Sequence, residues 1–131
     1  MNRIAIVLGG LAGGLFRYMF ETLVPTPMSL PFGTLMVNLL GCFLLGFIYF
    51  IADEREWPSW LRLGLGTGFV GAFTTFSTFS LELSELSGSH ILWAAIYALV
   101  SMVGGLSFVM LGEWTGSVVL GKRIATEEAY S

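Results

Sequence analysis

The chain has 131 residues, 55% of them hydrophobic and 11% charged, with a net charge of −3 and a mean hydropathy of +0.80. A soluble domain carries about 25% charged residues, so this composition excludes an ordinary soluble globule and points to a single integral membrane domain. The one cysteine, Cys42, excludes an intrachain disulfide and a cysteine-based metal cluster, and nothing in the charge balance points to a nucleic-acid partner.

At about 20 residues per span, the length predicts an all-α protein of four transmembrane helices with short connections. The apolar run after Arg3 is interrupted by Gly9, Gly10, Gly13 and Gly14, and no small-residue cleavage site follows. It therefore reads as a first span over 4–23 rather than a secretory leader. The pairs Gly9/Gly13 and Gly10/Gly14 put small residues on one face, where another helix can approach. Arg17, near the end of this span, can snorkel to the headgroups or line an anion-attracting vestibule. Pro25, Pro27 and Pro31 mark the first loop. Span two, 32–52, has no charge and carries Thr34, Asn38, Gly41 and Gly46. The Asn38 amide suits either an interhelical hydrogen bond or donation to an anion. Residues 53–60 form an aqueous loop, with Trp57 and Trp60 as interfacial anchors and adjacent carboxylates that read as solvated.

Span three, 61–86, holds the stretch Gly71-Ala72-Phe73-Thr74-Thr75-Phe76-Ser77-Thr78-Phe79-Ser80, in which five of ten residues carry a hydroxyl. In hydrocarbon such groups must find partners or face a water-filled path. The stretch predicts two helical pieces around an irregular segment near 71–78, the first weakened by Gly64, Gly66, Gly68 and Gly71. Phe76 and Phe79, three apart, share a helical face. Glu82 and Glu85 follow at the outlet, where solvated positions are the simpler reading; Glu82 and Thr34 are retained as pathway candidates. Residues 87–90 form a turn with His90 on the surface. Span four, 91–119, exceeds what a bilayer needs, so it tilts or protrudes. Tyr97 and Ser101 lie on one of its faces, and a polar tail from Lys122 onward is expected to fray.

Three segments resemble the CrcB/Fluc family of fluoride channels: Gly9-Gly10-Leu11-Ala12-Gly13-Gly14-Leu15-Phe16-Arg17-Tyr18, Gly33-Thr34-Leu35-Met36-Val37-Asn38-Leu39, and Gly68-Phe69-Val70-Gly71 running on through the hydroxyl-rich stretch. The resemblance covers nearly the whole chain in order and spacing, and its most specific part is Thr74-Thr75-Phe76-Ser77-Thr78-Phe79-Ser80. It implies a four-helix subunit with a broken third helix, paired in an antiparallel, dual-topology dimer with two pores along the interface. By position, the resemblance makes Phe76 and Phe79 the pore-lining aromatic pair and Asn38 the pore amide. Ser77, Thr78, Tyr97 and Ser101 become a polar track, and Arg17 the vestibule arginine. It makes Gly71 and Thr74 the residues whose backbone carbonyls hold a central structural sodium ion. The sequence departs from the pattern at Gly105, where some members have a further pore serine.

These residue types suit fluoride, a small ion that holds its water tightly. Amide and hydroxyl protons and the positive edges of phenyl rings can replace that shell, without a full positive charge that would slow release. The expected function is passive fluoride export across the bacterial plasma membrane, not enzymatic catalysis. The positive-inside rule conflicts with dual topology. Arg3, Arg55, Arg62, Lys122 and Arg123 fall on one side and only Arg17 on the other. The expected partner is therefore a second copy of the chain or an oppositely oriented homologue. Two other readings stand against a channel. A small-multidrug-type proton-coupled exporter would want an embedded carboxylate, for which span one offers only Glu21 near its end. A non-transporting scaffold would use the hydroxyls for packing alone.

Overall fold

A computed structural model describes residues 1–24 and 30–130, with side chains through residue 121. The expected turn residues Pro25 and Pro27 lie outside the described residues. Those described are all-helical, without strands. Helices α1 (Asn2–Leu23) and α2 (Phe32–Glu54) are followed by a short α3 (Ser59–Leu63), a π-helical segment (Gly64–Val70) and a single turn, α4 (Gly71–Phe73). After an interruption come α5 (Ser77–Ser89) and α6 (Ile91–Tyr130). Three of these, α1, α2 and α6 as far as Gly121, are long and apolar enough to cross a membrane. A helix satisfies its own backbone, which an apolar run in lipid requires. Pro31 and Pro58 each stand immediately before a helix, α2 and α3 respectively, where a missing N–H costs nothing.

The glycines at 64, 66 and 68 widen the helix into a π-helical segment, and the interruption falls later, at Thr74–Phe76. Thr74 is extended, at φ −80° and ψ 159°, and Phe76 returns to helical angles at φ −92° and ψ −33°. The turn expected over 87–90 shrinks to His90 alone, because α5 continues through Ser89. Nor does the helix end where a frayed tail was expected, since the α6 backbone stays helical to Tyr130. Residues 122–130 are rich in Lys, Arg, Ala and Glu. Extending an existing helix with such residues is far easier than nucleating one.

Two close helix pairings build the fold, α1 against the π-helical segment and α2 against α6. Both depend on glycines. A Cβ at Gly9 would run into the Gly64 carbonyl oxygen, and one at Gly13 into that of Phe69. Across the other pairing, Gly46 meets the Val109 carbonyl and Gly112 that of Phe43. Gly14, by contrast, has nothing within 4 Å of a Cβ, and Gly10 only the Gly68 carbonyl oxygen at 3.9 Å, so of the two pairs Gly9 and Gly13 are the ones with no room for a side chain. Outward faces of α1 and α6 remain strongly apolar; Leu11 is 68% and Met102 73% exposed. Such surfaces are costly in water and at home in lipid. At the polar end Arg62 pairs with Asp53 at 2.6 Å and lies 5.0 Å from the centre of the Tyr49 ring.

Gly13→Leu is expected to destabilise the protein by at least the usual overpacking cost of about 1–3 kcal/mol, while Gly14→Leu stays close to the parent. Thermal unfolding of both variants in detergent checks this.

Candidate functional site

The interruption in the third helical path is held by side chains. Asn38, on α2, donates from Nδ2 to the Thr75 carbonyl at 2.9 Å, and its Oδ1 accepts from the Thr75 N–H at 2.8 Å. The amide thus replaces the peptide neighbour that Thr75 loses when the helix stops. This is an interhelical hydrogen bond, and it occupies one of the two Asn38 N–H groups, leaving the other for a further acceptor. In an unbroken helix the Thr75 N–H would bond the Gly71 carbonyl, and the Thr78 N–H that of Thr74. Instead Thr75 turns to Asn38, and the Thr78 N–H donates to Thr75 Oγ1 at 3.2 Å. The Gly71 and Thr74 carbonyls lose their helical donors. Thr74 itself directs both its N–H and its hydroxyl to the Val70 carbonyl, each at 3.0 Å.

An open groove of about 390 Å³ lies beside this interruption, lined by Asn38, Cys42, Thr75, Phe76, Phe79 and Ser101 among others. The Phe76 and Phe79 ring centres are 5.9 Å apart, and Phe79 lies 5.1 Å from the Tyr97 ring. Phe76 is 78% exposed, so the chain presents it outward rather than packing it. Ser101 Oγ is buried and finds no hydrogen-bond partner among the described residues. The Ser77 and Thr78 hydroxyls sit 3.3 and 3.2 Å from Thr75 Oγ1.

Glu82 is not a freely solvated outlet residue. Thr34, itself buried, donates its hydroxyl to Glu82 Oε1 at 2.8 Å, and Tyr97 donates to Oε2 at 2.9 Å. The sequence could not reveal this three-helix cluster, because its members come from α2, α5 and α6. A hydroxyl has one proton, so in this arrangement Tyr97 offers its oxygen, not its proton, to anything beside it. Arg17 stands apart from the groove. It is half-buried on α1 between Phe16 and Phe20, whose rings pack edge-on against Phe69 and Phe73. At Gly105, Cys42 Sγ lies 3.3 Å from where a Cβ would be, so the thiol borders the space a serine there would use. Among the described residues, no cluster of three or more His, Cys, Asp or Glu is placed to hold a metal.

Sequence reasoning passed over Thr75, which is 6% exposed and joins every element of the interruption. Its signal was a Thr three residues before the second helical N–H to be satisfied, the spacing of an N-cap.

A family model described as CrcB-like protein, Camphor Resistance (CrcB), matches residues 4–113. The chain is 43% identical over 110 residues to the fluoride-specific ion channel FluC of Methanocaldococcus jannaschii, covering 83% of this chain and 89% of that one. To the fluoride-specific ion channel FluC of Leptospira interrogans it is 44% identical over 117 residues, covering 85% of this chain and 91% of the relative. To FluC 1 of Bacillus cereus it is 40% identical over 133 residues, covering 98% and 91%.

Glu82→Ala removes the acceptor shared by Thr34 and Tyr97. Each orphaned hydroxyl is expected to cost about 1–3 kcal/mol. The loss should shrink when Glu82→Ala is made on a Thr34→Val, Tyr97→Phe background, and a double-mutant cycle on unfolding midpoints measures it.

Proposed function

The chain belongs to the CrcB-like protein family, and from that premise we propose that it is a fluoride-specific channel that lets the ion leave the cell down its electrochemical gradient. The observation that carries this reading is the groove at the helix interruption. There Asn38, Ser101 with its unpartnered hydroxyl, and the Phe76–Phe79 pair line the same space. A dehydrating fluoride needs proton donors, and this groove has them: the second Asn38 N–H, the Ser101 O–H and the ring edges. Tyr97 packs beside Phe79 at the edge of the track, but its one proton is committed to Glu82, so it does not donate to the ion. Ser77 and Thr78 extend the hydroxyl line, and Arg17 serves at a distance as a vestibule charge that raises local anion concentration. The narrow part carries no full positive charge, which keeps release fast. A rigid passage of this kind excludes the larger chloride. A negative-inside potential drives an anion outward by about 2.3 kcal/mol per charge per 100 mV, so no coupled energy source is needed.

In this reading the chain spans the bacterial plasma membrane four times, with α3, the π-helical segment, α4 and α5 together making the third crossing. It works as an antiparallel dimer. The exposure of Phe76 supports this, since half of each pore would be completed by the partner. A structural sodium ion at the centre is held by the Gly71 and Thr74 carbonyls. The donor set fits, because both carbonyls have lost their helical N–H partners, and hard oxygens suit a hard cation. When bound, the ion supplies only attraction between the two interruptions. Two identical chains must insert in opposite directions, against the Lys and Arg distribution; an oppositely oriented homologue is the alternative partner that this distribution favours.

Liposomes containing only this protein are expected to release fluoride without a proton gradient, as followed with a fluoride electrode. A strict need for the gradient would indicate the proton-coupled exporter instead, and no release from the chain alone would indicate a heteromeric partner. Phe76→Ile and Phe79→Ile are each expected to reduce the flux at least tenfold while oligomeric state on size exclusion is unchanged. Unaltered flux in both variants would favour the packing scaffold.

A further inference from the structure

Resting on the sodium reading above, we propose that Thr75 is the positioning residue of the cation site. Its hydroxyl keeps the third helix from rewinding and so leaves the Thr74 carbonyl free to face the ion. The proton accounting supports this role. A hydroxyl can donate once and accept twice. Thr75 Oγ1 accepts from the Thr78 N–H at 3.2 Å, donates to Thr78 Oγ1 at 3.2 Å and lies 3.3 Å from Ser77 Oγ. The first bond captures the one N–H that an α-helix would return to the Thr74 carbonyl. The Thr75 main chain, held by Asn38 on both its N–H and its C=O, has already withdrawn the donor of the Gly71 carbonyl. Two bonds to Thr75 therefore account for both released oxygens, one through its backbone and one through its side chain. The same hydroxyl also fixes Ser77 and Thr78, so it joins the cation side of the interruption to the anion side. Burial at 6% exposure keeps water from replacing it.

Removing the hydroxyl leaves the Thr78 N–H without an acceptor in an apolar setting, where the nearest substitute is the Thr74 carbonyl. The helix then competes with the cation for the same oxygen. A merely capping role would lower stability equally at all sodium concentrations; a positioning role moves the sodium dependence itself.

The test is thermal unfolding of the purified full-length protein in detergent across a sodium titration, with N-methylglucamine as the replacement cation. Binding to the folded state raises the midpoint as sodium passes its dissociation constant. The parent is expected to show such a rise. Thr75→Val should shift the sodium concentration for half the effect upward at least tenfold, and Thr75→Ser should restore it to within about threefold of the parent. A folded Thr75→Val with the parent's sodium dependence overturns the role of Thr75 and leaves the sodium site standing. A parent with no sodium dependence overturns the site itself, and the positioning role with it. If Thr75→Val does not fold, Thr75→Ser decides: parent-like sodium dependence supports the proposal, and an upward shift of tenfold or more overturns it.

Discussion

The paired hydrogen bonds between Asn38 and the Thr75 main chain are the constraint on which the site depends. A helix cannot simply stop at membrane depth, because every freed N–H and C=O there costs several kcal/mol if left alone. The chain meets this by moving donors to side chains. An amide on a neighbouring helix takes over at Thr75, and the Thr75 hydroxyl takes over at Thr78. What results is an interruption that is satisfied on its donor side and open on its acceptor side. A groove with exposed carbonyls and idle hydroxyl protons can exist in an apolar protein only because the rest of the interruption is so fully bonded.

The close glycine contacts serve the same end. Where α1 meets the π-helical segment, and where α2 meets α6, backbones touch without side chains between them. Such contacts fix the helices firmly, since no long side chain can yield. Asn38 sits on α2, Ser101 and Tyr97 on α6, and the interruption follows the π-helical segment, so both pairings set the distance from amide to hydroxyl to ring. The channel proposed above, which has to tell a small ion from a larger one, needs such rigidity, and packing by Leu or Met would give it less well.

Much of this was legible in the sequence because its signals are local. Composition gave the membrane setting, the proline cluster gave the helix start at Phe32, and the clustered hydroxyls at Thr74, Thr75, Ser77 and Thr78 gave an interrupted helix, while the third path starts at Ser59 rather than at 61. The interruption expected near 71–78 falls at Thr74–Phe76, inside that range, while tight packing against α1 holds the glycines before it as a wider helix. Contacts across the fold were not legible. Nothing in spacing joins Thr34, Glu82 and Tyr97, which lie 48 and 15 residues apart along the chain, so Glu82 read as solvated. Thr75 was passed over for another reason: its N-cap spacing to Thr78 is hard to pick out among five clustered hydroxyls, and the hydrogen bonds show which of them is the hub.

The π-helical stretch Gly64–Val70 has a consequence for how the chain tolerates insertions and deletions. A π turn accommodates one more residue than the α turn it replaces. Losing a residue there lets the backbone contract into ordinary α-helix while the aromatic face downstream keeps its heading. The same loss within α5 would swing everything after it by about 100°. Length variation should therefore collect in the glycine-rich segment and be absent from the helix that carries Phe79.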